Sequence, residues 1–533
     1  GHYTYPMVAQ FSTGILAHFS ISIYRWIPDI DAVLQFKVIE RVFQACDTII
    51  AATDASRDGE MTFRYVYQYL NCTQPCFRLW ISSLTDESVR KGMENLKPDS
   101  CYDSLFLSAD SRNKADWILG INASYAMCKA TGLGNNSLGR VQTPVLAAIS
   151  RRYRERENHI SSDSWPIYIS LQKDGILFKM RRTQDLPDKE SATMFFQDCK
   201  LAHQAQITGI SHSVKEILPP DLLDLTQLQK EANIRYGFTA SEVYDIAQSL
   251  YEKKLISYPR TSSRYLTEDV FDSLPPIMAC LLSWELFPAA KGTGGIDISN
   301  LSRHVISAEK ANVHHAIIIT GIRPGNLSEK EMQVYRLVAG RMLETFMAPC
   351  RIETTNVEAV CAAQHFKAEQ TRIIEAGWHD VFMRYDMIPT SGYSVKELPE
   401  VEKGDTLNVC GCNMVHKKEL PVDPFTDAEL VEYMELNGLG TVSSRTNIIR
   451  TLVNRKYIRY SGKYIVPTPK GMFTYETIRG KKIADTSLTA DWEKQLAGLE
   501  SGMITGQDFL NRIRTLAKEM TDDIFNTYST KEE

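Results

Sequence analysis

Nowhere in the 533 residues is there a run of 18 apolar side chains, so no membrane span is indicated. A G-x-x-x-x-G-K-[ST] loop is also missing, which excludes the common phosphate cradle of nucleotide-driven enzymes. The 11 cysteines are scattered and odd in number. Their closest pairs, Cys72/Cys76 and Cys410/Cys412, do not build the paired C-x₂-C clusters of a structural zinc site. Free buried thiols in a reducing compartment are the reading, with a cytoplasmic location and no signal peptide after Gly1. There is no excess of positive charge either. The net charge of −5 excludes a protein that coats nucleic acid with a uniformly basic surface, but not one with a local basic groove. Internal repeats, long linkers and low-complexity tracts are lacking, and a 43% hydrophobic content excludes disorder as a description of the whole. What remains is a globular chain long enough for three or four domains at about 150 residues each.

Its organisation alternates. Asp47-Thr-Ile-Ile-Ala-Ala-Thr-Asp54 reads as a short strand ending in an acid. A polar turn, Ala55 to Gly59, and a helix from Glu60 to Leu70 follow, then a second strand over Phe77–Ile81 and a helix opened by a capping pattern at Ser83. An acid at the C-terminal end of a strand is where open α/β sheets place ligands. Residues 104–158 read as helical, 164–215 as strands, 226–345 as helical with a Gly-rich break at Gly292–Gly295, 351–420 as strands again, and 426–533 as helical with a hairpin near Tyr457–Val466. That order suggests nested insertions, each half-domain completed later in the chain.

The mild net charge hides a separation. Between Arg445 and Lys482 ten cations face one acid, Glu476, a local balance of +9 against −14 elsewhere. Tyr457, Tyr460, Tyr464, Phe473 and Tyr475 are interleaved with them. Cations can neutralise phosphates and aromatics can stack on unpaired bases; a solvated helix face over core aromatics has the same pattern. Arg151-Arg-Tyr-Arg-Glu-Arg156 reads as a helix surface.

Four segments carry chemistry. Thr53-Asp-Ala-Ser-Arg-Asp-Gly-Glu60 sets three carboxylates around a strand-to-helix turn. Hard oxygens there suit Mg²⁺, although acids are also favoured at any helix N-terminus. Ser137-Leu-Gly-Arg-Val-Gln-Thr-Pro144 is a Gly-marked turn with Arg140 and Gln142. Leu255-Ile-Ser-Tyr-Pro-Arg-Thr-Ser-Ser-Arg-Tyr265 sets Tyr258 two residues from Arg260, with Pro259 fixing the backbone between them. A phenol is a poor nucleophile at its free pKa of about 10, and a neighbouring cation favours the phenolate and can hold a phosphate oxygen; a core tyrosine beside a surface arginine is the plainer reading. Val313-His-His-Ala-Ile-Ile-Ile-Thr320 pairs two histidines whose side chains diverge on an extended backbone, which disfavours a shared metal.

Taken in order, these segments resemble type IA DNA topoisomerases, and most nearly the topoisomerase III branch of bacterial type. Asp54 to Glu60 is similar to the acidic turn of the Toprim domain, and FRLWISSLT (77–85) to the strand after it. ADWILGINAS (115–124), LGRVQTP (138–144), DLTQLQKEANIRYGFTA (224–240), LISYPRTSSRYL (255–266), the His314–Thr320 stretch and Gly438–Ile449 resemble the family's later blocks. The resemblance implies a multidomain torus of α/β, α and β parts, and an ATP-independent, Mg²⁺-dependent breakage, strand passage and rejoining of single-stranded DNA that relaxes or decatenates DNA. Tyr258 would hold the 5′ phosphate covalently, with Arg260, His314, Glu252 and Gln248 lining the catalytic site. Asp54, Asp58 and Glu60 would hold Mg²⁺. Arg78, Arg140, Gln142, Thr261, Ser444 and Arg445 would belong to the DNA-binding surface. The implied domains are a Toprim domain over 1–105, a helical DNA-binding domain over 106–163 and 423–533, a β-rich gate or arch over 164–218 and 349–422, and a helical tyrosine domain over 219–348. Single-stranded DNA is the implied partner, a helicase is left open as another, and a monomer is expected.

The sequence departs from the family at several points. Gly1-His2-Tyr3 looks like the family's Gly-His-Leu block, so the first Toprim strand, with its Glu and Lys, is expected to be missing. Ser56 takes the place of the second acid of the usual Asp-x-Asp pair, Ser262 that of an Asp, and Ile319 that of a Pro. No zinc-ribbon tail is expected. These departures leave a second reading, a single-strand-binding remnant with impaired chemistry. A Toprim primase or nuclease would not need the tyrosine segment.

Overall fold

The structure, a computed structural model, describes residues 33–81, 86–132, 136–284, 286–287, 296–311, 313–383 and 391–529. The Gly1–Tyr3 block, the capping pattern at Ser83 and the glycines at 292–295 lie outside them. Among the described residues no helix is long and apolar enough to cross a membrane.

The first part is a small α/β unit. Strand Ile49–Ala51 runs parallel to Cys76–Arg78, which pairs antiparallel with Lys97–Pro98. The second strand ends at Arg78 rather than at the expected Ile81, although Leu79 N–H still donates to Ala51 O at 3.0 Å. The following helix, Arg57–Tyr69, begins three residues earlier than the apolar periodicity predicts. Ser56 causes this: in an extended conformation its Oγ accepts from Gly59 N–H at 3.1 Å, so it serves as the N-cap.

Helix Asp103–Thr131 packs against Ser487–Glu500 and Gly506–Ser529 through Ile118, Leu119, Met127, Trp492, Leu496 and Phe509, so the early and late parts of the chain share one core. Helices Gln142–Glu157, Asp427–Leu436 and Val442–Asn454 form a second core with the hairpin Ile458–Ser461/Tyr464–Pro467.

Six strands close a barrel in the order Thr406–Met414, Ile167–Lys173, Ile176–Arg182, Gln364–Glu375, Cys350–Cys361, Gln204–Ile217. The alternation that marks them in the sequence is the inward set, Ile167, Ile169, Leu171, Phe178, Met180 and Phe366 among it. Strands from residues 167–217 and 350–414 thus join across the intervening helices.

Those intervening helices make the largest core. Leu225–Tyr236, Ala240–Glu252, Leu274–Ser283 and Glu329–Phe346 bury Leu228, Val243, Leu250, Met278, Leu337 and Met342. Capping boxes at Thr239/Glu242 and Ser328/Glu331 fix where two of them start. This core holds residues 255–266 flat against 313–320. The 11 thiols are free, but only Cys199, Cys350 and Cys361 are buried, fewer than expected from composition.

Candidate active site

Two segments far apart in sequence are stitched together to present Tyr258. Ser257 N–H donates to Ile318 O at 2.8 Å, and Ile318 N–H donates to Ser257 Oγ at 3.0 Å. Thr320 N–H reaches Leu255 O, and Ala316 N–H reaches Tyr265 O. Thr261 Oγ1 donates to His314 O at 2.9 Å. The result sets the Tyr258 ring 4.6 Å from the His314 ring, with Tyr251 edge-on at 5.2 Å. The two histidines diverge, as an extended backbone requires: His315 turns its Nδ1 to Ala316 O at 2.7 Å.

Across from this lies the acidic turn. Gly59 is needed there because a Cβ would sit 2.1 Å from the Asp54 carbonyl oxygen. Thr53 Oγ1 donates to Gly59 O at 2.8 Å, tightening the loop. Arg78 braces it from within, donating to Ala51 O, Thr53 Oγ1 and Asp54 O at 3.1, 2.9 and 2.5 Å. With the Asp54 backbone held in this way, its side chain meets the tyrosine: Tyr258 Oη donates to Asp54 Oδ2 at 3.3 Å. Both face a cleft of 990 Å³ that is also lined by Asp58, Arg112, Arg260 and His314.

The electrostatics of this pair are asymmetric. Burial, and next the Asp54 carboxylate, push the Tyr258 phenol up to about 12, while Arg260 pulls it back. Burial also holds His314 below the ordinary imidazole value, partly offset by Asp54, so the ring facing the phenol is neutral near pH 7. Arg260 is positioned by helix Ala240–Glu252: its Nη2 donates to Gln248 Oε1 at 3.2 Å, and Gln248 Nε2 donates to Glu252 Oε1 at 2.9 Å. Five predicted residues, Tyr258, Arg260, His314, Gln248 and Glu252, therefore form one connected group with Asp54.

The expected metal face is brought together only in part. Asp54 and Asp58 border the cleft, and Asp58 lies 3.7 Å from Arg112. Glu60 does not reach it. It is fully buried and paired to Arg78 at 3.1 Å and Arg64 at 2.9 Å. Burial raises its pKa against the pull of those cations. The cause is geometric: on helix Arg57–Tyr69 the side chain of Glu60 falls on the inner face while Asp58 falls on the outer. Among the described residues no group of three His, Cys, Asp or Glu side chains is arranged to hold a metal. Two carboxylates fit Mg²⁺, which keeps waters and shares phosphate oxygens, better than they fit an ion needing a full protein cage.

The expected DNA-binding surface also needs correction. Arg78 is 1% exposed and spent on the acidic turn. Arg140 is 5% exposed, clamped by Asp116 at 2.7 and 3.1 Å and lying over the Trp492 ring at 4.7 Å. Arg445 is 8% exposed and bound to Thr226 and Glu435. Thr261 is buried in the stitch described above. Each is taken up by neighbours, fully buried Glu60 for Arg78 and the partly exposed Asp116 and Glu435 for Arg140 and Arg445. Gln142 and Ser444 are half-buried; Gln142 accepts from Arg455 at 2.8 Å, and Ser444 Oγ accepts from Thr441 N–H at 2.8 Å in a helix cap. Within the basic segment, Tyr457 and Tyr475 are core residues, and Tyr460 and Tyr464 bond to Asp427 and Asp423. Arg450, Arg479, Lys481 and Lys482 pair with carboxylates. The Arg151–Arg156 cluster is a helix surface whose Arg152, Arg154 and Arg156 are ion-paired. The sequence reading missed Arg112, Trp80 and Arg57, which line the cleft; Arg57 reaches Glu493 and Glu500 at 3.0 and 2.6 Å. No local spacing marks Arg112, because a 29-residue helix carries it there from another segment.

Comparison with known proteins shows the family and the fold. The family described as DNA topoisomerase matches residues 100–511. The chain is 32% identical over 501 residues to DNA topoisomerase 3 of Bacillus licheniformis, covering 89% of this chain and 68% of that one. It is 32% identical over 517 residues to DNA topoisomerase 3 of Bacillus subtilis, covering 90% and 69%. The structure of full-length topoisomerase I from Thermotoga maritima superposes with a TM-score of 0.71 at 21% identity, over 93% of this chain and 81% of that one, which shows a common fold. A cleft that joins an acidic α/β turn to a buttressed tyrosine thus stands in a chain that belongs to the type IA DNA topoisomerases, in the topoisomerase III-like group.

Proposed function

We propose that the chain breaks and rejoins single-stranded DNA through Tyr258, without ATP, and passes another strand through the break. The observation that carries this reading is the hydrogen bond from Tyr258 Oη to Asp54 Oδ2 at 3.3 Å, which joins the two most distinctive segments of the sequence in one cleft. In the forward step the bond from Tyr258 Oη to phosphorus forms as the P–O3′ bond breaks. The phenolic proton leaves to the Asp54 carboxylate that already accepts it, and the leaving 3′ oxygen takes one proton back from that acid through water, so the step is proton-neutral overall. Rejoining is the reverse. One phosphodiester replaces another, so no nucleotide is consumed.

Arg260 stabilises the phosphate, since its guanidinium borders the cleft and is held there by a neutral amide. Neutral His314 donates to a phosphate oxygen. Asp54 and Asp58 are the carboxylates that would hold Mg²⁺, which supplies charge neutralisation at the phosphate. The single chain carries both halves of the site, which suits a monomer.

The test is relaxation of negatively supercoiled plasmid by the full chain in Mg²⁺ without ATP. Wild type should relax it and Tyr258→Phe should not, by ~10⁴-fold or more as for loss of other nucleophiles. Equal activity of the two proteins would sink the reading. Inactivity of both with retained single-strand binding would favour the remnant reading, which the serine at 56 and the withdrawn Glu60 keep in view.

A further inference from the structure

Tyr244 lies four residues before Gln248 and eight before Glu252 on helix Ala240–Glu252, so the three share one stripe of its surface. Arg260 rests on that stripe. Its Cζ stands 5.2 Å over the Tyr244 ring and 5.9 Å from the Tyr258 ring, while Nη2 donates to Gln248 Oε1 at 3.2 Å. The guanidinium is therefore held by two aromatic rings and one neutral amide, and its buried Nε has no hydrogen-bond partner among the described residues.

A π face attracts a cation without offering an acceptor that competes for its N–H edge. A carboxylate in the place of Tyr244 would take that edge, as Asp116 does with Arg140. We propose that Tyr244 is a positioning residue: its ring fixes the plane of Arg260 so that the part of the guanidinium lining the cleft meets a phosphate oxygen of the strand being cut. This rests on the reading of Arg260 given above. Tyr244 itself contacts the arginine, not the reacting atoms.

The experiment is single-turnover cleavage of a single-stranded oligonucleotide by the full chain in Mg²⁺, with strand affinity measured separately. Tyr244→Phe keeps the ring and should cleave within about twofold of wild type. Tyr244→Leu should cleave about tenfold more slowly at little-changed strand affinity. In an Arg260→Gln background, Tyr244→Leu should add nothing, because the group it positions is gone. A role in packing alone would instead lower the thermal midpoint and multiply with Arg260→Gln. If the leucine variant does not fold, Tyr244→Met replaces it, unbranched and without a π face. Cleavage by the leucine or methionine variant at the wild-type rate, or losses that multiply in the double variant, overturns the proposal while leaving Arg260 in place. Cleavage by Arg260→Gln alone at the wild-type rate removes Arg260 from the reaction and the proposal with it.

Discussion

Arg260 and Arg78 differ in what holds them. Arg78 sits beneath the acidic turn, pairs with a fully buried glutamate and spends its remaining donors on backbone and hydroxyl oxygens. Arg260 borders the cleft, touches two aromatic rings and an amide, and meets no carboxylate within ion-pairing distance among the described residues. Arg140 and Arg445 fall with Arg78. An arginine already neutralised by a carboxylate is part of the scaffold, whereas one steadied by neutral groups keeps its charge available for an incoming phosphate.

Substitution separates the two classes. Arg78→Met should cost about 3–5 kcal/mol of stability, because it strips a partner from a fully buried charge. Thermal or denaturant unfolding would register it. An unchanged midpoint with weakened DNA binding would place Arg78 on the wrong side of the comparison. Arg260→Gln should do the reverse, slowing strand cleavage by about 10²-fold with little change in unfolding midpoint. A large loss of stability there would blur the distinction.

Asp427 offers a smaller test from the opposite sign of charge. It is a buried carboxylate with no arginine paired to it among the described residues, and its Oδ1 accepts from Ala240 N–H at 3.2 Å and Tyr460 Oη at 3.1 Å. Burial raises it from 3.8 to about 6, with Glu242 adding to the rise. The sign follows from the raised folded value: the stabilising term is complete below 3.8 and is lost as the pH climbs through about 6. Asp427→Asn keeps an acceptor for both donors and removes the titration. It should unfold later than wild type at pH 8, by roughly 3 kcal/mol, and the gap should close below pH 4. A gap that does not vary with pH would show that Asp427 does not titrate in this window.

The fold class was legible because it rests on local periodicity. Alternating residues over 164–215 and 351–420 became barrel strands, and the hairpin near Tyr457–Val466 formed where its turn residues are. The ordered motifs also exposed the candidate nucleophile and the acidic turn, since proline, glycine and neighbouring charge fix their backbones locally. The roles of the arginines and of Glu60 were not legible. Whether Glu60 faces a cleft or a core depends on where helix Arg57–Tyr69 docks, and Arg78 is defined by a partner 18 residues away. The interleaved tyrosines of the basic segment likewise took core or hydrogen-bonded places, because composition cannot tell a stacking platform from a packed ring.

The most direct test of the central claim is the identity of the covalent link. The full chain would be incubated in Mg²⁺ with a single-stranded oligonucleotide carrying different labels at its two ends, quenched with denaturant and digested for mass spectrometry. The account predicts that the 3′-end label stays with the protein through the 5′ phosphate on the peptide bearing Tyr258, that the 5′-end label is released on a fragment with a free 3′ hydroxyl, and that Tyr258→Phe gives neither. Strand binding without any tyrosine-linked product, or a link to a different residue, would contradict it.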